Sequence, residues 1–172
     1  MTADSHQMLA TRSGYRFEVR PAHPGDEALL GEFFGHVTQS DLRFRFLSSV
    51  QKVSAAQLDE MTHVDHRQKE DFIAFDVDTG RVVANAMLAA DKDLNVAEVA
   101  ISLHEDFKGR GIGWTLLEYV ATCAKARGIK KLQSIESREN FTAIELEREM
   151  GFVARPLDDD PTLVVLEATL QP

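Results

Sequence analysis

Three glycines fall within five residues at Lys108-Gly109-Arg110-Gly111-Ile112-Gly113, between an extended apolar run and a segment of helical periodicity. Glycine is a poor helix former, so this density at a helix start is costly unless the backbone must turn tightly or approach something closely. Before the loop, residues 96–103 alternate, with Val96, Glu98, Ala100 and Ser102 on one side and Ala97, Val99, Ile101 and Leu103 on the other. After it, Ile112, Leu116, Tyr119, Val120 and Cys123 recur at helical spacing, and Gly128 stands where a C′ glycine ends a helix. Strand, glycine turn and helix start together form an anion cradle, because the first free N–H groups and the positive end of the helix dipole converge there. Lys108 and Arg110 add positive charge to a chain whose 19 basic and 28 acidic residues leave a net charge of −9. The pattern predicts a phosphate site.

Two common phosphate binders fit badly. A P-loop needs a lysine and a hydroxyl residue directly after its last glycine, and neither follows Gly113. A dinucleotide fingerprint needs glycine where Trp114 stands, in a βαβ unit early in a parallel sheet. A glycine-rich turn without ligand is the plainer alternative.

The rest of the chain sets the loop in a mixed sheet. Residues 1–14 lack periodicity and read as a flexible leader, and residues 15–170 as one domain. Tyr15–Arg20 alternates like a strand, and a helix begins near Asp26. Ser40–Leu47 mixes apolar and basic residues and is ambiguous, while Ser54 with Gln57 is a capping-box pair opening a further helix. Three extended runs follow at 72–77, 82–90 and 96–103, joined by short polar turns, which implies antiparallel hairpins. Beyond the glycine loop come the helix through residue 127, a strand at 129–135, a helix that Asn140 can cap, and a last strand at 163–169 after the turn Asp158–Pro161. The β-α-β passage demands a parallel crossover. The expected fold is α/β (α+β), a mixed but mostly antiparallel sheet of six to seven strands flanked by about four helices.

Composition narrows the partners. A single cysteine, Cys123, makes no internal disulfide and no Cys-rich zinc module. Excess acid disfavours nucleic acid and favours cationic ligands such as amines. Neither a membrane-length apolar run nor a secretory leader is present in the sequence, which points to the cytoplasm and to no membrane partner.

The loop residues resemble the cofactor motif of the GNAT N-acetyltransferases, Gln/Arg-x-x-Gly-x-Gly/Ala, as Lys108-x-x-Gly111-x-Gly113, with lysine at the first place. Asn140-x-x-Ala143-x-x-Leu146, ending Met150-Gly151-Phe152, matches the family's Asn-x-x-Ala-x-x-Leu-Tyr-x-x-x-Gly-Phe pattern except at the tyrosine. A closer likeness is to the GNAT domains of bacterial protein lysine acetyltransferases of the acyl-CoA-synthetase-like fusion type. It rests on Val19-Arg20-Pro21 with Asp26-Glu27, Leu42-Arg43-Phe44-Arg45-Phe46, and Ala97-Glu98-Val99-Ala100 ahead of Asp106-Phe107-Lys108-Gly109. The resemblance spans residues 15–170 and implies a GNAT fold, acetyl-CoA as co-substrate, no metal, and a monomer or homodimer. It implies a primary amine as acceptor, a protein lysine by preference and a polyamine, amino sugar or amino acid as runner-up. A non-catalytic acyl-CoA sensor and an unrelated nucleotide-binding module are the rivals.

The resemblance also assigns roles. An alkylammonium with a pKa of about 10.4 costs about 4.6 kcal/mol to deprotonate at pH 7. The family polarises the thioester carbonyl with a backbone N–H of the strand before the glycine loop, so Ile101 and Leu103 would run beside the acetyl and pantetheine portion. Lys108, Gly109, Arg110, Gly111, Ile112 and Gly113 would hold the pyrophosphate. Glu98, the one titratable side chain within that strand, takes the place of the general base; as a residue alone it reads rather as a solvated carboxylate on a half-exposed strand. Glu147 stands where many members carry a proton-donating tyrosine, and is expected to be ionised at neutral pH. Asn140 is expected both to cap its helix and to lie near pantetheine. His63-Val64-Asp65-His66 reads as a solvated loop, Cys123 as packing, and Phe33, Phe34, Phe44 and Phe46 as core or substrate wall.

Overall fold

Along Arg16–Pro21 burial alternates residue by residue, with Phe17 and Val19 fully inside and Arg16 exposed, as a strand with one wet face must do. The computed structural model describes residues 6–47 and 51–170. In chain order they form β1 (Gln7–Ala10), β2 (Arg16–Pro21), α1 (Glu27–Phe34), α2 (Gln39–Phe46), α3 (Ala55–Thr62), β3 (Lys69–Asp76), β4 (Val82–Ala90) and β5 (Val96–Leu103). After a short 3-10 turn follow α4 (Ile112–Ala126), β6 (Lys131–Ser137), α5 (Phe141–Glu149), β7 (Val153–Leu157) and β8 (Asp160–Thr169).

All eight strands make one sheet in the order β1-β2-β3-β4-β5-β6-β8-β7, and every neighbouring pair is antiparallel except β5 with β6. This is the mixed, mostly antiparallel sheet that hairpin turns followed by a β-α-β crossover dictate. One strand lies outside the expected set. The leader carries β1, whose Gln7 to Ala10 pair with Val19 to Arg16, so the sheet starts ahead of residue 15. A four-residue strand is too short to show a period, which is why it reads as leader. The edge strand β7 is exposed almost throughout and has no buried face to pattern it.

Helices cover both faces. One core joins Phe17, Phe72, Leu88, Leu132 and Leu166 of the sheet to Ile112, Leu116 and Val120 of α4. The other joins Ile73 to Leu30, Phe33 and Phe34 of α1, Leu42 of α2 and Met61 of α3. The central strand β3 is therefore buried on both sides from Glu70 to Ala74.

The ambiguous segment is α2. Thr38 caps it by accepting from the Asp41 N–H, and Leu47 closes it in the left-handed conformation. Its alternation of apolar and basic residues looks strand-like because Arg45 turns inward instead of outward. Arg45 Nη1 donates to Ser102 Oγ at 2.7 Å and Nη2 to Asn85 Oδ1 at 2.9 Å, and Asn85 Nδ2 donates to Asp71 Oδ1 at 2.6 Å. Burial pushes Asp71 well above the usual carboxylate range and lowers the Arg45 guanidinium to about 10, so Arg45 stays charged at neutral pH. This network clamps α2 onto β5. Replacing Arg45 with leucine strands Ser102, Asn85 and Asp71 without their cation, and should cost about 3 kcal/mol, measured as a drop in the urea unfolding midpoint at unchanged slope.

Candidate active site

The parallel ladder between β5 and β6 is three residues long, Val96–Glu98 against Lys131–Gln133. The near end is pinned, since the Asn95 carbonyl accepts from both the Lys130 and Lys131 N–H groups. Past Glu98, β5 continues to Leu103 paired only with β4, and past Gln133, β6 continues to Ser137 paired only with β8. The strands part into a fork, and on its two inner edges backbone donors and acceptors have no ladder partner. Unpaired main-chain groups inside a sheet demand water or a ligand. Burial alternates along both strands up to the fork and breaks past it, at Ala100 and Ile101 in β5 and from Ile135 to Ser137 in β6.

The glycine loop lies at the open end of β5. Gly109 and Gly111 have φ of 80° and 86°, and Gly111 is the N-cap of α4. An added Cβ at Gly111 would meet Thr11 Cβ at 3.4 Å, whereas at Gly113 it would meet only Leu103 Cδ1 and Leu146 Cδ1, at 3.7 and 3.8 Å. The α4 N-terminus has no side-chain capping hydrogen bond and abuts β5 and α5 at once. A cavity of about 510 Å³ opens over it, bounded by Gly109 to Gly111, by Trp114 and Thr115 of α4, by Thr142 and Leu146 of α5, and by residues 11–13.

The two basic residues of the loop each have a partner within the protein. Lys108 Nζ is tied to Asp41 Oδ2 of α2 at 2.6 Å, and Arg110 lies over the Phe107 ring at 4.6 Å while still bordering the cavity. Positive potential at the cradle comes from the main chain and Arg110. The turn after β1 also contributes a wall that the sequence does not disclose, with Arg12 over the Trp114 ring at 4.2 Å. A cation beside an aromatic a hundred residues away has no local signature.

Alternation along β5 divides the fork into two sides. Ser102 faces α2 through Arg45, so Glu98, two strand positions earlier on the same side, looks the same way; Ile101 and Leu103 are half-buried against the α4 core. Glu98 is the last β5 residue in the ladder, opposite Gln133, at the apex of the fork. It is half-buried, burial raises its pKa, and among the described residues nothing hydrogen-bonds its carboxylate. Ile112 is fully buried in the first turn of α4.

Asn140 caps α5 through the Ala143 N–H at 3.4 Å and donates from Nδ2 to Glu136 Oε2 at 3.1 Å. Ser134 Oγ donates to Glu136 Oε1 at 2.7 Å. Glu147 is the one fully buried residue of α5. Burial first, and the neighbouring Glu136 second, push its carboxyl up to about 9; burial pushes Glu136 to about 7. The expectation that Glu147 is ionised at neutral pH is thereby corrected. Its side chain points into the protein, where a lone charge is too costly to keep. Spacing held the clue, for Glu147 lies four residues after Ala143 on the inward face of α5.

The other candidates stay local. Asp65 Oδ1 accepts from the N–H groups of Arg67, Gln68 and Lys69, which organises the His63–His66 segment as a turn. Phe33 and Phe34 are core, and Cys123 is buried in the helix.

Because Gly111 needs a left-handed backbone and Gly113 does not, their alanine variants should part company. Gly111→Ala should lose about 1–2 kcal/mol of stability and Gly113→Ala should gain about 0.5–1 kcal/mol as a helical residue, both read from urea unfolding.

Comparison with known proteins agrees with this geometry. The acetyltransferase (GNAT) family model matches residues 38–152. Acetyltransferase PA5475 of Pseudomonas aeruginosa is 26% identical over 162 residues, covering 93% of this chain and 87% of that protein. Acetyltransferase Pat of Mycolicibacterium smegmatis is 27% identical over 169 residues, 95% of this chain but 49% of its own, so the chain spans about half of that relative. Among solved structures, the GNAT domain of S. lividans PAT superposes with a TM-score of 0.87 at 24% identity, over 96% of this chain and 97% of that one. A spermidine N-acetyltransferase from Vibrio cholerae, in complex with CoA and spermine, superposes with a TM-score of 0.74 at 17% identity over 90% and 95%. Among the described residues no helix is long and apolar enough to cross a membrane.

Proposed function

The chain belongs to the acetyltransferase (GNAT) family, and on that footing we propose that it moves the acetyl group of acetyl-CoA to the side-chain amine of a protein lysine. The observation that carries this reading is the fork, with an uncommitted carboxylate at its apex and a glycine-lined helix start at its open end.

Amides of Gly109 to Gly113 grip the pyrophosphate, and Arg110 adds charge at the rim. Pantetheine enters the fork and takes up the unpaired edge of β5 past Ile101 and Leu103, much as a strand would. Thioester oxygen then meets a β5 amide close to Glu98, and this amide stabilises the oxyanion as nitrogen attacks. Asn140 flanks the path from α5. No metal takes part in this scheme.

Glu98 works from the α2 side, opposite the α4 helix that carries the cofactor loop. Its raised pKa narrows the gap to the ammonium it must deprotonate, directly or through one water. Further along β6, a groove of about 420 Å³ lies between Arg43, Phe44 and Leu47 at the α2 end and Ser137, Arg138 and Thr162. A surface groove that wide suits an extended peptide presenting a lysine. The likeness to bacterial protein lysine acetyltransferases supports the same acceptor. A small polyamine is the second reading, favoured by the net charge of −9 and by the shared fold with the spermidine enzyme.

Glu98→Gln should lower kcat/KM at pH 7 by about 10²-fold or more while leaving acetyl-CoA affinity unchanged by calorimetry; wild-type turnover in this variant would falsify the base assignment. The wild-type rate should rise with pH along a limb lying above the ordinary carboxylate range, because the base acts only when ionised and burial has raised its pKa. Radiolabelled acetyl-CoA offered to cell lysate together with a pool of polyamines and amino acids should label protein lysines. Label confined to small amines would replace the preferred acceptor, and tight cofactor binding without any transfer would favour a sensor.

A further inference from the structure

The turn between β1 and β2 is closed by its own hydrogen bonds. The Thr11 N–H donates to the Tyr15 carbonyl at 2.8 Å, the Gly14 N–H to the Thr11 carbonyl at 2.9 Å, and the Tyr15 N–H to Thr11 Oγ1 at 3.1 Å. Thr11 is buried and stands against the α4 N-cap, where an added Gly111 Cβ would meet it at 3.4 Å. Arg12, the next residue, therefore leaves the backbone from a fixed point beside the glycine cradle.

Arg12 is exposed, and its guanidinium lies over the Trp114 ring at 4.2 Å. Among the described residues no carboxylate pairs with it. In a chain of net charge −9 such a cation is unusual in being left free. An arginine held against an aromatic face keeps the edges of its fork open, and that fork of N–H donors matches a phosphate.

The cavity beside it has walls of opposite charge. Arg12 and Arg110 border it from the β1–β2 turn and the glycine loop, whereas Glu145 and Glu149 border it from α5. A phosphate monoester is repelled by the acidic wall and drawn to the arginines. Arg110 belongs to the loop whose amides take the pyrophosphate. Arg12 reaches farther. Its platform, Trp114, comes three residues after the N-cap Gly111, about 4.5 Å along the helix axis. Coenzyme A carries its 3′-phosphate one ribose away from the pyrophosphate, a separation of the same order.

We propose that Arg12, on its Trp114 platform, is a specificity-determining residue that binds the 3′-phosphate of coenzyme A and selects the complete cofactor over its dephospho form. This rests on the acetyl-transfer reading above, and it adds a binding residue that lies outside both cofactor motifs. The 3′-phosphate is remote from the thioester, so the contact contributes to capture of the cofactor and not to the chemical step. Strand β1 thereby acquires a task, since its pairing with β2 closes the turn that carries Arg12.

Acetyl-CoA and acetyl-dephospho-CoA, compared on the full chain, test this. Wild-type protein should bind acetyl-CoA about tenfold more tightly by calorimetry, with a matching ratio in KM. Added salt should shrink that preference, because the arginine is exposed. Arg12→Leu should reduce it to about twofold or less by weakening acetyl-CoA alone; an unchanged Kd for the dephospho form shows that the variant is folded. Arg12→Glu should abolish the preference. Arg12→Lys keeps the charge without the planar fork, and should retain about threefold. A wild type indifferent to the 3′-phosphate, or an Arg12→Leu variant that keeps the full preference, overturns the proposal and leaves the transferase reading intact. A wild type that binds neither thioester sinks the transferase reading and this proposal with it.

Discussion

A three-residue parallel ladder governs the molecule. Were β5 and β6 paired along their full lengths, the sheet would be continuous and the α4 N-terminus would face a closed wall. Because pairing stops at Glu98 and Gln133, an edge of β5 is left with main-chain groups that water or an extended, hydrogen-bonding ligand must satisfy. The pantetheine arm of coenzyme A has the amides and the length to do so. Glycine loop, strand edge and helix start then act as one surface.

That opening is held by what surrounds it. On one side, the α4 core of Ile112, Leu116 and Val120 fixes the helix start against Leu103. On the other, Arg45 locks α2 to β5 through Ser102 and Asn85, with Asp71 behind. Buried polar groups of this kind are costly unless completely partnered, and they are specific for the same reason. They fix α2 against the sheet beside β5.

Titratable groups at the fork are separated by environment more than by type. Among the described residues the Glu98 carboxylate is half-buried and accepts no hydrogen bond, Glu136 accepts from two donors, and Glu147 is buried with its Oε1 unpartnered. Three glutamates of equal intrinsic acidity thereby gain different proton affinities. All three shifts begin with loss of water.

Much of this was legible in the residues themselves. Backbone conformation leaves local traces, so Gly109 and Gly111 announced a left-handed turn, Ser54 with Gln57 a helix start, Asn140 a cap, and the three extended runs their hairpins. Motif spacing located the cofactor loop and Glu98. Helix α2 stayed ambiguous and Glu147 was misjudged, since each depends on which way a polar side chain turns, and inward-facing Arg45 and Glu147 look solvated until their surroundings on other elements are known. Strand β1, the Arg12 contact with Trp114 and the fork left no trace at all. Conformation is set by neighbours in the chain, which the sequence displays; proton affinity and strand separation are set by neighbours in space, and only the folded sheet brings those together.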